Sequence, residues 1–354
     1  MAATDGAILF EILRGEPGAT ATPERIDALF DLATAHGLAG LVHEALEKRG
    51  VILPRWQAFA EQTELGAKVQ LQAAAEIADA LRARNIEAVF VKGVALSLSV
   101  YPRALRPFND LDLLIQPRDL RAVHGILTGM GFSANNSLRS PIELDYFRER
   151  LPGYKICIDL HWDFTGEDGF QAPVRMPLGE ILSRCLRERD IPVPTPEDAL
   201  LFSAANFARK CGEPLVLVVD FARMLQLPLD WKKLTERAEA WGLKTPLWLA
   251  LTLAEHLLGA KAPNEWLNRL SPPAGRAQRL TEMLGGEALW LPDKQKRFGY
   301  RWGFKLKCLD SAGAVCAALC ASPRGVLRKL GLTENLAAKI LRENPPPLTS
   351  PDRA

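Results

Sequence analysis

Two aspartates separated by a single residue constrain the fold of this chain more than any other feature. Asp110 and Asp112 lie in the run FNDLDLLI at positions 108–115, which alternates polar and apolar residues and then becomes wholly apolar. This pattern predicts a strand that enters a core. Because residues i and i+2 of a strand share a face, we expect both carboxylates on one side, with Leu111 and Leu113 on the other. Two such carboxylates repel one another unless a cation lies between them, and oxygen ligands of this kind suit Mg²⁺ or Mn²⁺.

The length and composition are those of an ordinary soluble protein of more than one domain. The chain has 354 residues, 48% hydrophobic and 24% charged, and its net charge of +2 gives no electrostatic argument for nucleic acid or a membrane surface. Residues 1–10 contain no basic residue and a brief apolar run, which is not typical of a signal peptide. No apolar stretch reaches the roughly 18–20 residues that a spanning helix needs. We therefore expect a cytoplasmic protein with no membrane span.

Caps and hydrophobic periodicity divide the chain into helical and mixed segments. Residues 1–85 are predicted to be helical, residues 86–165 to alternate strands and helices, and residues 166–340 to be mainly helical. Residues 341–354 include three consecutive prolines and are predicted to be a disordered tail. Further strands are expected at 86–91 and 155–162, and further helices at 94–101 and 119–129. The predicted fold is therefore α+β, with a small α/β core flanked by N-terminal and C-terminal helical regions.

A third aspartate lies in the predicted strand 155–162, where Asp159 and His161 share one face. An aspartate in the middle of an apolar strand is unfavourable unless it is paired or bound to a metal. If this strand neighbours the one that carries Asp110 and Asp112, three carboxylates meet on one face. Three carboxylates can hold two divalent ions about 3.5–4 Å apart, which is typical of phosphoryl and nucleotidyl transfer. One of them can also accept a proton from the incoming nucleophile.

The turn Lys92-Gly93 ends the first predicted strand and precedes a short helix. A glycine there lets the backbone approach a ligand closely, and the first N–H groups of the helix can bind an anion. Lys92 is a candidate phosphate contact, with an ion pair to one of the aspartates as the alternative. Arg106 precedes the Asp110 strand and is a second candidate for the triphosphate, with a surface role as the alternative. His161 is a candidate nucleotide contact or a half-buried histidine that is hydrogen-bonded to a neighbour.

These motifs resemble a known family. The segments 91–93 (VKG), 106–112 and 158–162 (IDLHW) are similar to those of bacterial proteins called uncharacterised nucleotidyltransferases, which have the nucleotidyltransferase fold of the DNA polymerase β superfamily. The resemblance is close over about residues 86–165 and extends, through a similar helical layout, to roughly residue 260. It implies a mixed sheet of the nucleotidyltransferase type in the core.

The resemblance also implies roles for single residues. Gly93 would be the phosphate-loop glycine. Asp110 and Asp112 would be the metal ligands, and Asp159 the third carboxylate or the base. One departure bears on these roles: Val94 follows Gly93, where the wider superfamily has a serine or a second glycine, so a hydroxyl contact to the triphosphate is missing.

The implied reaction moves a nucleoside monophosphate from an NTP to an acceptor and releases pyrophosphate, with Mg²⁺ or Mn²⁺ as cofactor. The acceptor is open, and small molecules, modified peptides, saccharides and RNA are all candidates. Two alternatives remain beside this interpretation. One is a catalytically weak or inactive nucleotide-binding or regulatory protein on the same fold, and the other is a phosphate-ester hydrolase that uses the same two ions.

Two features outside the core are candidates for further contacts. Asp220 lies in an apolar helical stretch, where capping or pairing with Arg223 is favoured over contact with a nucleotide. Residues 294–307 hold six basic residues and no acidic one, interleaved with aromatic residues. That pattern permits contact with RNA or another acidic partner. The alternative is an amphipathic helix that packs its aromatic side chains inward.

Overall fold

Helices form the N-terminal part of the chain up to residue 82. The structure is a computed structural model that describes residues 2–15, 21–135, 143–163, 173–285 and 298–329. The N-terminal helices are α1 (Ala2–Arg14), α2 (Pro23–Asp27), α3 (Phe30–Ala35), α4 (Ala39–Glu47) and α5 (Pro54–Arg82). The Thr22 side chain caps α2 by accepting a hydrogen bond from the Arg25 backbone N–H, with Pro23 at the first helical position.

A five-stranded sheet follows in the described residues after α5. Its strands and the helices between them are β1 (Ala88–Phe90), α6 (Gly93–Ser99), β2 (Asp110–Ile115), α7 (Leu120–Gly129, after a 3₁₀ turn at Pro117–Asp119), β3 (Ser133–Ala134), β4 (Glu143–Leu151) and β5 (Tyr154–His161). The strand order is β1-β2-β5-β4-β3. β2 and β5 run parallel and the other neighbouring pairs are antiparallel, so the sheet is mixed. The predicted α+β class is confirmed.

The two faces of the sheet contact different parts of the protein. One face carries Leu111, Leu113 and Ile158, which are fully buried against apolar residues of α5 and α7. The other face carries the carboxylates of β2 and β5, and Leu114 on that face joins the apolar cluster of the helical regions. The alternation predicted for the strand of Asp110 and Asp112 is therefore present.

The C-terminal part is mainly helical. It comprises α8 (Leu178–Ser183), the hairpin β6 (Leu186–Glu188) and β7 (Ile191–Val193), α9 (Pro196–Arg209), α10 (Val216–Met224), α11 (Trp231–Trp241), α12 (Lys244–Leu258), α13 (Asn264–Leu270), α14 (Ala274–Gly285), α15 (Phe298–Cys308) and α16 (Ala312–Lys329). Two side chains cap helices here: Thr195 accepts from the Asp198 backbone N–H at 3.3 Å, and Asp230 accepts from the Lys233 backbone N–H at 3.1 Å.

The apolar cores cross the predicted segment boundaries. Residues of the N-terminal helices and of α9, α10 and α12 share one cluster, whereas the second half of α5 belongs to the cluster under the sheet. The division into residues 1–85, 86–165 and 166–340 stays a prediction. Residues 341–354 lie outside the described part of the chain. Among the helices that the structure does describe, none combines the length and the apolar character needed to cross a membrane.

Candidate metal and nucleotide site

The parallel pairing of β2 with β5 builds the centre of the site. The register sets Asp112 opposite Asp159 and Asp110 opposite Cys157. Because directly paired residues of neighbouring strands share a face, the carboxylates of Asp110, Asp112 and Asp159 project from the same side of the sheet. Asp112 is buried, with 2% of its surface exposed, and the other two are half-buried. The adjacency on which the sequence argument depended is therefore present.

Three side chains converge closely at this centre. One ligand atom each of Asp112, Asp159 and His161 can be chosen so that all lie within 4.8 Å of one another. His161 Nε2 is 3.2 Å from Asp112 Oδ1, and its Nδ1 is 3.4 Å from Glu143 Oε2 on β4. In this close group His161 stands where the sequence predicts Asp110, which lies two residues before Asp112 on the same face of β2. The assignment of Asp110 as a metal ligand stays a prediction.

The pKa values of the two paired carboxylates shift in opposite directions. Burial alone would raise the pKa of Asp112, but the Lys92 ammonium and His161 outweigh it and lower the pKa to about 2. For Asp159, burial and the charges of Asp110 and Asp112 together raise the pKa to about 7. Burial, followed by the charge of Asp112, also raises the pKa of Asp110. The protein therefore does not itself compensate all the negative charge on this face.

A divalent cation fits this arrangement. Carboxylate oxygens are ligands for Mg²⁺ and Mn²⁺, and an imidazole nitrogen is a further donor that several divalent metals accept. Burial, followed by the like charges of Asp110 and Asp112, raises the pKa of Asp159, and a bound cation would oppose this shift by favouring the ionised carboxylate. The buried group of Asp112, Asp159 and His161 can thus hold a metal ion.

Lys92 contacts the site from the turn between β1 and α6. Its ammonium group forms an ion pair with Asp112 Oδ1. The side chain of Asp112 is buried, and that of Lys92 is mostly buried. Lys92 has a φ angle of 52°, a left-handed conformation that is uncommon for residues other than glycine. The ion pair that was the alternative for Lys92 is therefore formed, and its contact with phosphate stays a prediction.

Gly93 is required by packing. The positive φ angle of the turn belongs to Lys92 and not to Gly93. A Cβ atom at position 93 would lie 2.5 Å from Phe108 Cβ and 2.7 Å from Phe108 Cγ, closer than real contacts allow. Gly93 is itself buried at the start of the seven-residue helix α6. Its proposed contact with phosphate stays a prediction, but the residue has a separate steric reason to be glycine.

Arg106 is buried beside the site and bound to a residue of the helical part. Its Nε and Nη2 donate to the two carboxylate oxygens of Asp220 at 2.7 and 2.8 Å, and the Tyr101 hydroxyl donates to Asp220 Oδ1 at 2.7 Å. The alternative of a surface role for Arg106 is wrong, because Arg106 is 7% exposed. The pairing of Asp220 with Arg223 is also wrong, because Arg223 pairs with Glu44 at 3.1 Å. A contact of Arg106 with nucleotide stays a prediction.

Three charged residues near the site were not predicted. Glu143 and Asp145 lie on β4, opposite His161 and Asp159, and β4 itself was missed. Lys210 follows the last residue of α9, and its charge acts on Asp110 and Asp112. The sequence contains a basic residue at a helix C-terminus followed by Cys211-Gly212, a pattern that predicts the end of a helix but not its position beside a sheet.

The described part of the basic and aromatic stretch forms helix α15. Phe304 is fully buried and packs near Phe207, and the Tyr300 hydroxyl donates to the Met283 carbonyl oxygen at 3.1 Å. These aromatic side chains point inward, as the alternative interpretation expects. Residues 294–297 lie outside the described part of the chain, and a contact of residues 294–307 with RNA or another acidic partner stays a prediction.

A comparison with protein families identifies the chain. A family model described as uncharacterised nucleotidyltransferase matches residues 22–259, which include the five-stranded sheet and helices α2 to α12. The chain belongs to this family. The suspected resemblance is confirmed, and it extends well beyond the residues 86–165 where the motifs are closest. A comparison with curated proteins found no match.

The residues of the site lie within the part of the chain that matches the family. The matched residues include both carboxylate strands, the Lys92-Gly93 turn and Lys210. A family of nucleotidyltransferases acts on a nucleotide and an acceptor, and the acceptor of this chain is unknown.

Proposed function

We propose that this protein is a nucleotidyltransferase that uses Mg²⁺ or Mn²⁺ to move a nucleoside monophosphate from an NTP to an acceptor. The observation that carries the proposal is the pairing of Asp112 with Asp159 on parallel strands, in a chain that belongs to a nucleotidyltransferase family. A buried group of two carboxylates and an imidazole is suited to a divalent cation, and a nucleoside triphosphate is normally bound together with one.

In the proposed site, Asp110, Asp112 and Asp159 hold the metal, with His161 beside Asp112. A cation held there would neutralise charge on the phosphate oxygens and on the leaving group. Lys92, Gly93, Arg106 and His161 are the proposed nucleotide contacts, as the sequence predicts. Their support is position: Lys92 and His161 both contact Asp112, Gly93 follows Lys92, and the charge of Arg106 acts on Asp110.

The proposed reaction is a displacement at the α-phosphorus of the NTP. The nucleophilic atom of the acceptor forms a bond to this phosphorus, and the bond from the phosphorus to the α,β-bridging oxygen breaks. Pyrophosphate leaves with the electron pair of that bond, and the acceptor loses a proton. Asp159 is the proposed group that receives this proton, because its carboxylate lies opposite Asp112 on the neighbouring strand, at the place proposed for the metal.

The acceptor is proposed as a class and not as a compound. Small molecules, modified peptides, saccharides and RNA all offer a nucleophilic oxygen or nitrogen. A direct experiment is a screen with labelled ATP, GTP, CTP and UTP, in the presence of Mg²⁺ or Mn²⁺ and each acceptor class. Pyrophosphate release and the mass of the product would be measured together. Transfer of a nucleoside monophosphate to any acceptor supports the proposal, whereas formation of free nucleotide alone favours the hydrolase alternative.

The variant Asp159→Asn separates binding from chemistry. It should still bind the metal-bound NTP while turnover falls about 10²–10⁴-fold, the usual contribution of a general base. Asp190→Asn is the matched control, because Asp190 is exposed in the β6–β7 turn with a φ angle of 65°, a conformation that asparagine also tolerates. Full turnover of Asp159→Asn would show that Asp159 does not accept the proton in the reaction.

A nucleotide-binding or regulatory protein without catalysis is the second candidate. Val94, which follows the turn glycine, is fully buried, so this position offers neither a hydroxyl nor an open backbone to a phosphate. Thermal stabilisation by an NTP and Mg²⁺, without pyrophosphate release in the presence of any acceptor class, would favour this candidate over the enzyme.

A further inference from the structure

Lys210 is a charged residue whose ammonium group has no counter-ion among the residues that the structure describes. It lies at the C-terminal end of α9, half-buried, where its backbone N–H donates to the Asn206 carbonyl oxygen at 2.9 Å. Within the described residues, its side chain takes part in no hydrogen bond and no ion pair. This differs from Lys92, which pairs directly with Asp112. A half-buried ammonium group without a partner is unfavourable, because it has lost part of its hydration without compensation.

The turn after α9 fixes the place of Lys210. Cys211 and Gly212 have φ angles of 55° and 82°, and both are buried. The Gly212 backbone N–H donates to the Phe207 carbonyl oxygen at 2.9 Å, which closes the end of the helix. Because the backbone on both sides of Lys210 is held in this way, its position at the end of α9 is fixed.

The charges that act on Lys210 include those of the site. Burial, followed by the charges of Arg209 and Lys92, lowers the pKa of Lys210, while Asp110 and Asp112 act in the opposite direction. Lys210 and Lys92 therefore approach the same two carboxylates from different parts of the fold, one from the turn after β1 and the other from the end of α9. Two cations that repel one another across a site are stabilised together by a ligand with several negative charges.

We propose that Lys210 is a triphosphate-binding residue that the helical part of the protein contributes to the site. This inference rests on the proposed function and extends it. It makes the nucleotide site composite, with the metal-binding carboxylates on the sheet and a phosphate-binding cation on the helices. A triphosphate carries about four negative charges at neutral pH. It would give the Lys210 ammonium group a direct ion pair, which Asp110 and Asp112 do not form with it. The contact is to phosphate, so it is independent of the base.

Binding measurements with three variants test the inference. Lys210→Met keeps the length of the side chain and removes its charge, Lys210→Arg keeps the charge, and Lys261→Met removes the charge of an exposed lysine in the loop after α12. Affinity for ATP, GTP, CTP and UTP with Mg²⁺, and for inorganic tripolyphosphate with Mg²⁺, would be measured by calorimetry. Lys210→Met should bind every one of the NTPs that the parent binds about 10- to 100-fold more weakly, the usual effect of losing a hydrogen bond to a charged group. Lys210→Arg should recover most of the loss, and Lys261→Met should bind as the parent does.

The melting temperature of the ligand-free protein separates a ligand contact from a structural role. Removing an uncompensated, half-buried charge should leave the melting temperature of Lys210→Met unchanged or higher, while the stabilisation by Mg²⁺ and NTP shrinks. A ligand-free variant that melts clearly below the parent would make Lys210 structural and overturn the inference. So would equal affinity of Lys210→Met and the parent for an NTP that the parent binds. A parent protein that binds none of the four NTPs would instead overturn the proposed function itself, and the inference with it.

Discussion

The ammonium group of Lys92 lies against Oδ1 of Asp112, the same oxygen that faces His161 Nε2. A lysine in this position acts as an internal cation, and it is the main reason that the pKa of Asp112 is lowered despite burial. The lysine that makes this contact also has a positive φ angle of 52°, a conformation that is uncommon for residues other than glycine. The two interpretations of Lys92 are therefore compatible. The lysine pairs with Asp112 in the metal-free protein, and a metal ion on Asp112 would release it for a contact with phosphate.

The first prediction concerns this internal cation. Lys92→Met should lower the free energy of unfolding of the metal-free protein by about 3–5 kcal/mol at pH 7, because Asp112 is left as a buried, uncompensated charge. Saturating Mg²⁺ should recover much of the loss, since the metal supplies the missing positive charge. Urea unfolding with EDTA and with Mg²⁺ measures both effects. Lys261→Met is the control, and a loss that is the same with and without Mg²⁺ would contradict a shared role of lysine and metal.

The central strands could be predicted because their pattern is local. In β2 and β5 the polar residues alternate with Leu111, Leu113, Ile156 and Ile158, which are all fully buried. The period of two is enough to assign both strands and the face of each carboxylate. The helix caps at Thr22 and Thr195 are local signals of the same kind.

The strand β4 could not be predicted in this way. Leu144 and Tyr146 are buried on its core side, but Phe147 and Leu151 are 41% and 53% exposed, so its apolar residues do not alternate cleanly. The strand is held by its pairing with β5. Arg148 and Arg150 of β4 also donate hydrogen bonds to Glu76 of α5. Such support is tertiary and leaves little pattern in the sequence.

The partners of the site residues were the least predictable part. Arg106 and Asp220 are 114 positions apart, and Lys210 at the end of α9 is about 100 positions from Asp110 and Asp112, whose charges act on it. A single sequence shows which residues can carry charge, but the packing of helices decides which charges meet. At Gly93 the sequence predicts a close approach to a ligand, and only the packing shows a second reason for glycine, the space that Phe108 occupies.

The second prediction concerns the metal. The double variant Asp112→Asn/Asp159→Asn should lose Mg²⁺ and Mn²⁺ binding, because an amide oxygen carries no net negative charge to replace that of a carboxylate. Calorimetric titration of the metal-free protein measures the loss. Asp190→Asn, on the surface hairpin, should bind metal as the parent does. Retention of metal affinity by a folded double variant would show that the ion binds elsewhere.

The third prediction concerns Gly93. Gly93→Ala should destabilise the protein by about 1–3 kcal/mol, because its Cβ overlaps Phe108 and a packed site does not relax freely. In a Phe108→Gly background the same change should have a smaller effect, since both the Cβ and the ring of Phe108 are gone. Gly125→Ala is the opposite control: Gly125 is exposed in α7 with nothing within 4 Å of a new Cβ, so alanine should stabilise by about 0.5–1 kcal/mol. Equal costs of Gly93→Ala in the two backgrounds would assign the effect to something other than Phe108.

The fourth prediction concerns the buried pair between Arg106 and Asp220. Asp220→Asn should lower the free energy of unfolding by about 3–5 kcal/mol, because it leaves the Arg106 guanidinium buried without its counter-ion. The exposed pair of Asp79 and Arg82 is the matched comparison, and Asp79→Asn should change stability by about 0–1 kcal/mol. Similar effects of the two substitutions would mean that the buried pair contributes no more than a surface one.

The last prediction uses the raised pKa of Asp159. In the metal-free folded protein this pKa is about 7, compared with 3.8 for an ordinary aspartate, so the folded state holds a proton that the unfolded state has released. Stability from this group is therefore fully present below about pH 4 and is lost as the pH rises towards 7. Asp159→Asn removes this dependence, and its stability relative to the parent should rise between pH 5 and pH 8 when EDTA is present. Saturating Mg²⁺ should abolish the difference in slope, because a bound cation favours the ionised carboxylate. Urea unfolding of both proteins across this range measures the effect, and parallel curves in EDTA would mean that Asp159 is already ionised without a metal.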